Sequence, residues 1–334
     1  MGKCIGWLLR DVGVKFVDDF FIDSGLTTLQ GLHPYSKKII FFGSPTLDTY
    51  CIFDVLTMLF HKRFFHPTSD TWVVFVHGAG GSNVVWFRQL RDFKKQFNVL
   101  LIDLRGHGRS KMSKLTAADR YRFDEIALDV IEIMDHLKIA RAHFVGISLG
   151  SIVIRAIDKL SPGRAESIIL GGAVVQFSRK IRVLVSLARL LHVILPYMWL
   201  YKLNALILIP SRASAESRRL FVSEAINLGK AEFSKWLRMS NDIRNQLNEF
   251  IIREASAPVL YLMGERDHMF LPLVSKITSM HLNSRLKVIR NSGHCCNIDQ
   301  PDAFNRLSIL FIKKHTRVMA ADFAGHSSML IQST

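Results

Sequence analysis

Cysteine is scarce: four in 334 residues, at Cys4, Cys51, Cys295 and Cys296. That is too few for a disulfide scaffold, and no C-x-x-C pair offers zinc ligands, so a reducing compartment is expected. Acids are also in short supply. Against 44 Lys+Arg the chain has 28 Asp+Glu, a net charge of +16, which points to an anionic partner. No basic run is interleaved with aromatics and no nucleic-acid motif is present, so nucleic acid is not the expected partner. Long uninterrupted apolar runs are missing as well. The stretch Cys4 to Leu9 ends at Arg10, with Asp11, Asp18 and Asp19 close behind, and is too short for a signal peptide. Gly2 is followed at position 6 by Gly6, where a myristoylation pattern needs Ser or Thr. Leu190 to Ser211 has only Lys202 as a charge, but Pro196 and Pro210 interrupt it. A crossing there would also separate strands of one sheet. These absences leave a cytoplasmic protein as the expectation.

What is present suffices for a large core: 49% of residues are hydrophobic and 22% charged. From Trp72 onward, short β-branched runs alternate with helical stretches, the pattern of βαβ units on a parallel sheet. Trp72 to Val76, Val99 to Asp103, His143 to Ile147, Ser167 to Leu170, Val259 to Met263 and Leu286 to Arg290 read as buried strands. Ile126, Val130, Ile133 and Leu137 mark a helix over Arg122 to Leu137, and Phe304, Leu307 and Phe311 mark another over Ala303 to Ile312. Residues 1–70 have no clear period and are expected to supply the first strands of the sheet. Residues 71–177 and 251–315 form its two core parts. Residues 178–250, rich in Leu, Ile, Arg and Ser, read as an inserted helical lid, and 316–334 as a loose tail.

The strongest chemical signal is Gly146-Ile147-Ser148-Leu149-Gly150, directly after one strand and directly before the helical stretch Ser151 to Leu160. A Ser on so sharp a turn takes a strained backbone, and small residues on either side let the chain pass. Its hydroxyl then stands at the carboxyl edge of the sheet, with a helix N-terminus aimed at it. Such a hydroxyl needs a base, and the base an orienting group. His294 follows the last strand and Asp267 the strand before it, so both belong at the same edge. Glu265 and Asp299 compete for the acid's place. His77 and His107 read as loop-shaping residues. Cys295 and Cys296 read as a small buried pair behind the site, close enough to it to confer sensitivity to thiol modifiers.

With the order Ser148, Asp267, His294, the chain resembles an α/β-hydrolase over about Trp72 to His315. His77-Gly78-Ala79-Gly80-Gly81 resembles that family's oxyanion loop, and Asp103-Leu104-Arg105-Gly106-His107-Gly108-Arg109-Ser110 its D-x-R-G-x-G-x-S turn. Gly293-His294, followed by Asp299 and Pro301, resembles the family's entry to the final helix. The resemblance implies Ser148 as nucleophile, His294 as base, Asp267 as orienting acid and the backbone N–H groups of Ala79 and Leu149 as the oxyanion hole. No metal or cofactor is expected. Family members that open epoxides or remove halide carry Asp at the elbow, which Ser148 argues against. Proline-specific aminopeptidases usually carry Trp where this chain has Leu149.

Esterases and monoacylglycerol-lipase-like enzymes, thioesterases, carbon–carbon bond hydrolases of ring-cleavage products and acyltransferases remain. Residues 178–250 hold 12 Lys+Arg against five acids, a net of +7. Leu191, Ile194, Met198 and Trp199, with Leu190, Leu200, Leu203 and Leu206, are expected to line a pocket for an acyl chain or apolar ring. The reading favoured is a serine esterase acting on a small-molecule or lipid ester, with its basic lid suited to peripheral contact with an anionic membrane.

Overall fold

The computed structural model describes residues 58–316, apart from 119, 192–193, 212–213 and 240–242. The strands expected before residue 58 and the tail from 317 lie outside the described residues.

Among the described residues seven strands form the sheet: β1 (His61–Phe64), β2 (Trp72–Val76), β3 (Asn98–Ile102), β4 (Ala142–Ile147), β5 (Ala165–Gly171), β6 (Val259–Gly264) and β7 (Ser284–Ile289). Their order is β1-β3-β2-β4-β5-β6-β7. β1 runs antiparallel to β3, and every other pair is parallel. The central strands read as continuous apolar runs because both faces are covered. Val74, Val76, Phe144, Ile168 and Tyr261 point into one core, and Val73, Phe75, Val145, Ile169 and Leu260 into the other. The edge strand β7 differs, since Arg285, Lys287 and Val288 face solvent. Charged side chains on an edge discourage further strand pairing.

The first core is closed by α2 (Phe123–His136), α3 (Gly150–Leu160) and α9 (Leu271–Thr278), and the second by α1 (Phe87–Lys94) and α11 (Pro301–His315). α2 buries Phe123, Ile126, Ala127, Val130, Ile133 and Met134, the single stripe of a 3.6-residue period, and carries Asp124 and Glu125 in its first turn. α11 opens on Pro301, which needs no amide partner there, and closes on Lys313, Lys314 and His315 opposite its negative end. α10 (Cys296–Asp299) is a single turn.

Between β5 and β6 the described residues form five helices: α4 (Arg179–Leu191), α5 (Tyr197–Leu208), α6 (Ala215–Leu228), α7 (Lys230–Arg238) and α8 (Ile243–Ile252). Among the described residues no helix is long and apolar enough to cross a membrane. Several buried contacts tie the insertion to the sheet loops. Trp236 Nε1 donates to the Arg105 carbonyl at 3.1 Å, and Tyr121 donates to Glu232 at 2.6 Å.

Arg105 itself is clamped. Its Nε and Nη2 donate to the two carboxylate oxygens of Asp129 at 2.5 and 2.8 Å, and Nη1 reaches Glu125 at 3.2 Å. Asp129 is buried, so removing the arginine leaves a carboxylate without its counter-ion. Breaking one side of such a pair typically costs about 3–5 kcal/mol, whereas replacing both sides can be near neutral. Arg105→Met is therefore expected to lower the urea unfolding free energy by about that much, and Arg105→Met/Asp129→Leu to recover most of it. A single-variant loss below about 1 kcal/mol would contradict the buried pairing.

Candidate active site

β4 ends at Ile147 and α3 begins at Gly150, so two residues make the whole reversal. Ser148 takes a left-handed backbone with φ of +53°, a conformation in which a non-glycine residue is strained. Its N–H donates to the Gly171 carbonyl at 2.9 Å. The Ser151 hydroxyl donates to the Ser148 carbonyl at 2.5 Å and accepts the Val174 N–H at 3.0 Å. The flanking glycines are required by close approach. A Cβ on Gly150 would collide with the Val76 carbonyl, and one on Gly146 would lie 2.5 Å from Ile154 Cδ1.

Asp267 follows β6 and His294 follows β7, which brings both to the same carboxyl edge. His294 Nε2 lies 2.9 Å from Ser148 Oγ, and its Nδ1 lies 2.8 Å from Asp267 Oδ2. A carboxylate can only accept, so Nδ1 carries the proton, and Nε2 presents a lone pair to the serine hydroxyl. Asp267 also accepts the Phe270 N–H at 3.2 Å, and the Phe270 ring packs 5.2 Å from the imidazole. Both Asp267 and His294 are buried, while Ser148 is partly open. The other carboxylates are engaged elsewhere. Glu265 accepts the Asn291 N–H at 3.1 Å. Asp299 accepts the Gly293 N–H at 2.8 Å and the hydroxyls of Ser214, at 2.6 Å, and Ser217. Asp299 thus joins the loop before His294 to the start of α6.

The loop after β2 is fixed by two buried histidines. His77 Nδ1 donates to the Gly78 carbonyl at 2.7 Å, while its Nε2 accepts the Leu104 N–H at 3.0 Å. His107 donates through Nδ1 to the Arg105 carbonyl at 2.9 Å and accepts the Gly80 N–H at Nε2, also at 2.9 Å. Each is a neutral ring bridging the loop and the D-x-R-G turn, and neither reaches the serine. Between them, the Ala79 N–H has no acceptor among the described residues, and the same is true of the Leu149 N–H at the start of α3. Both amides are available to a bound oxyanion.

Two expectations need correction. Ile194 and Trp199 do not line a pocket: Ile194, in the connection before α5, is 77% exposed, and Trp199 is 68% exposed because α5 turns Leu200, Tyr201 and Ala205 inward. Leu191 and Met198 are half-buried. The cysteines are buried as expected, but the inferred reactivity does not follow. Burial pushes the Cys295 thiol far up and the Cys296 thiol up to about 12, so neither forms thiolate near neutrality. Tyr201 was not singled out by the sequence. Its buried hydroxyl, kept neutral by burial, donates to the Ala79 carbonyl at 3.1 Å, bringing α5 onto the loop after β2. The available signal was a phenol inside an apolar stretch, which needs a partner when buried. Among the described residues no cluster of His, Cys, Asp or Glu is arranged to hold a metal ion.

A nucleophile elbow, a base and an acid at the carboxyl ends of parallel strands are the architecture of an α/β-hydrolase. The sequence model of the alpha/beta hydrolase family matches residues 73–307, and the chain belongs to that family. Over 277 residues it is 25% identical to RutD of Acinetobacter baylyi, covering 76% of this chain and 97% of that one. Mouse epoxide hydrolase 4 is 23% identical over 302 residues, 82% of each chain. The crystal structure of the enol-lactonase from Burkholderia xenovorans LB400 superposes with a TM-score of 0.63 at 21% identity, covering 76% of this chain and 96% of that one.

Burial lowers the pKa of His77 and His107 below the ordinary histidine value. It lowers His143, on β4, to about 4, with His315 adding to the effect and burial outweighing Glu166 at 3.3 Å. These rings are neutral when folded but take up protons in the unfolded chain below about pH 6.5. Stability is therefore full at neutral pH and falls as pH drops through 6.5. The slope is at most about 1.4 kcal/mol per pH unit for each histidine. Urea unfolding at pH 7, 6 and 5 is expected to show this decline, and His143→Gln to flatten it. A profile level over that range would contradict the buried neutral rings.

Proposed function

We propose that this protein is a serine hydrolase that cleaves carboxylic esters of apolar substrates through an acyl-enzyme. The observation that carries the reading is the unbroken chain Ser148 Oγ to His294 Nε2 at 2.9 Å and His294 Nδ1 to Asp267 at 2.8 Å. Ser148 attacks the ester carbonyl as His294 takes its proton. The amides of Ala79 and Leu149 meet the oxyanion, and His294 then protonates the departing alcohol. Water, activated by the same imidazole, releases the acid. Asp267 holds the productive tautomer and stabilises the imidazolium. The helices between β5 and β6 serve as the lid, with α5 lying on the oxyanion loop through Tyr201.

A lactone is a cyclic ester that the same steps would open, and the structural neighbour named an enol-lactonase makes it a fitting probe. Epoxides fit less well despite the relative named epoxide hydrolase 4. A serine alkoxide opening an epoxide would form an ether, which water and an imidazole base cannot cleave, so the enzyme would stop after one turnover.

A fluorophosphonate probe is expected to label the wild-type chain at Ser148 and to leave Ser148→Ala unlabelled. Across chromogenic esters of increasing acyl length, kcat/KM should rise with length. Ser148→Ala should lose about six orders of magnitude in kcat and Asp267→Asn about four. Asp299→Asn should keep most of kcat, because that carboxylate holds α6 rather than the imidazole. Absence of both labelling and turnover on every ester and lactone would overturn the reading. Equal losses in Asp267→Asn and Asp299→Asn would overturn the assignment of the acid.

A further inference from the structure

The outward faces of α4 and α5 are apolar in a regular way. On α4, Val183, Leu187 and Leu190 recur at i, i+4 and i+7, and on α5 Trp199, Leu203 and Leu206 do the same. That spacing places each trio on one side of its helix. All six are between 47% and 68% exposed, and Ile194, in the connection between the helices, is more exposed still. Apolar residues on the surface are usually scattered singly, as Leu310 is on α11. Here they form two consecutive stripes.

The charges around them have one sign. The 49 residues from Ser167 to Ala215 contain no Asp or Glu and six Lys+Arg. Arg179 is exposed on the same side of α4 as its apolar trio, Arg182 is exposed on the adjoining flank of that helix, and Lys202 lies beside Trp199 and Leu206 on α5. An apolar face whose own stretch supplies cations and no acids fits a surface with acyl chains beneath and phosphate groups above. A nucleic acid would satisfy the cations but leave Leu and Trp side chains against phosphates.

We propose that α4, α5 and their connection are a docking surface for a lipid bilayer carrying anionic phospholipids. The helices lie in the headgroup plane, with Leu190, Ile194 and Trp199 reaching the acyl boundary and the three cations meeting phosphates. The inner side of α5 carries Tyr201, bonded to the Ala79 carbonyl. Docking therefore holds the serine site about one helix diameter, ~10 Å, from the lipid. This inference stands apart from the ester-hydrolase reading, since binding needs no turnover.

The test is co-sedimentation of the full chain with vesicles of phosphatidylcholine alone and with vesicles that also contain phosphatidylglycerol. Binding to the anionic vesicles is expected to be at least tenfold tighter and to weaken with salt. Arg179→Gln/Arg182→Gln/Lys202→Gln should lose about a hundredfold, roughly fivefold per cation. Val183→Asp/Leu187→Asp should abolish binding, with circular dichroism and thermal unfolding confirming that each variant is folded. Ser148→Ala should bind as wild type does, which separates failure of this inference from failure of the hydrolase reading. Equal binding by wild type and both face variants would place the contact elsewhere in the chain and overturn the proposal, as would no binding at all. Vesicle-independent dimerisation lost in Val183→Asp/Leu187→Asp, or binding of duplex DNA lost in the glutamine variant, would identify another occupant and also overturn it.

Discussion

The structure depends on a turn that has almost no room. Ser148 sits in a left-handed conformation whose strain is of the order of 1–3 kcal/mol, and it persists only because its surroundings leave no alternative. Gly150 lies against the Val76 carbonyl of β2, while the Ser148 N–H is bonded to the Gly171 carbonyl of β5. The turn is thus wedged between the two strands that flank β4. This is available only if β2, β4 and β5 are parallel neighbours, as the sheet has them. The consequence is positional: the hydroxyl is held at the carboxyl edge of the sheet, within 2.9 Å of His294 Nε2.

The partners of Ser148 are set by the same parallel geometry. Successive parallel strands release their following loops at one edge, so residues far apart in sequence meet there without any special folding of the loops. Precision then comes from groups that perform no chemistry. Asp299 restrains the backbone before His294, and Ser151 restrains the elbow. His77 and His107 bridge the loop after β2 to the D-x-R-G turn, which is itself clamped by the Arg105–Asp129 pair. The Arg105 carbonyl is therefore connected through His107 to the Gly80 amide, next in sequence to Ala79.

Much of this was legible because it is local. Strand positions from Trp72 onward were set by short β-branched apolar runs alternating with helical stretches, and the observed strands begin and end within two residues of those expected. The elbow and the order of its partners were legible because strain and close approach restrict the residue types allowed there. What could not be read depends on which side of a helix faces inward. β1, α1 and α9 lack a long uniform pattern. In the insertion, where almost every residue of α5 is apolar, period alone does not orient the helix. Period therefore admits Trp199 on the inner side, although Tyr201 is the residue that lies there. A polar group that must find a buried partner is a better guide to the inward side than a leucine, which is tolerated on either.

The charge of +16 gains meaning from the same orientation. Where acids occur in the insertion, they are used for attachment: Glu216 pairs with Arg88 at 2.5 Å, Glu232 accepts from Tyr121 and Lys235, and Glu249 pairs with Lys159 at 2.7 Å. All of these lie after residue 215, on the helices that grip the core. The acid-free part before it contains α4 and α5, which instead present apolar and basic side chains outward. The insertion is therefore divided in two: a later half whose carboxylates satisfy cations of the protein, and an earlier half whose outward cations have no carboxylate of their own stretch to meet. Fields from unpaired cations reach about 8 Å at physiological salt. A partner able to neutralise them must bring phosphate or carboxylate to that face while also covering leucine, and the second requirement narrows the chemistry more than the first.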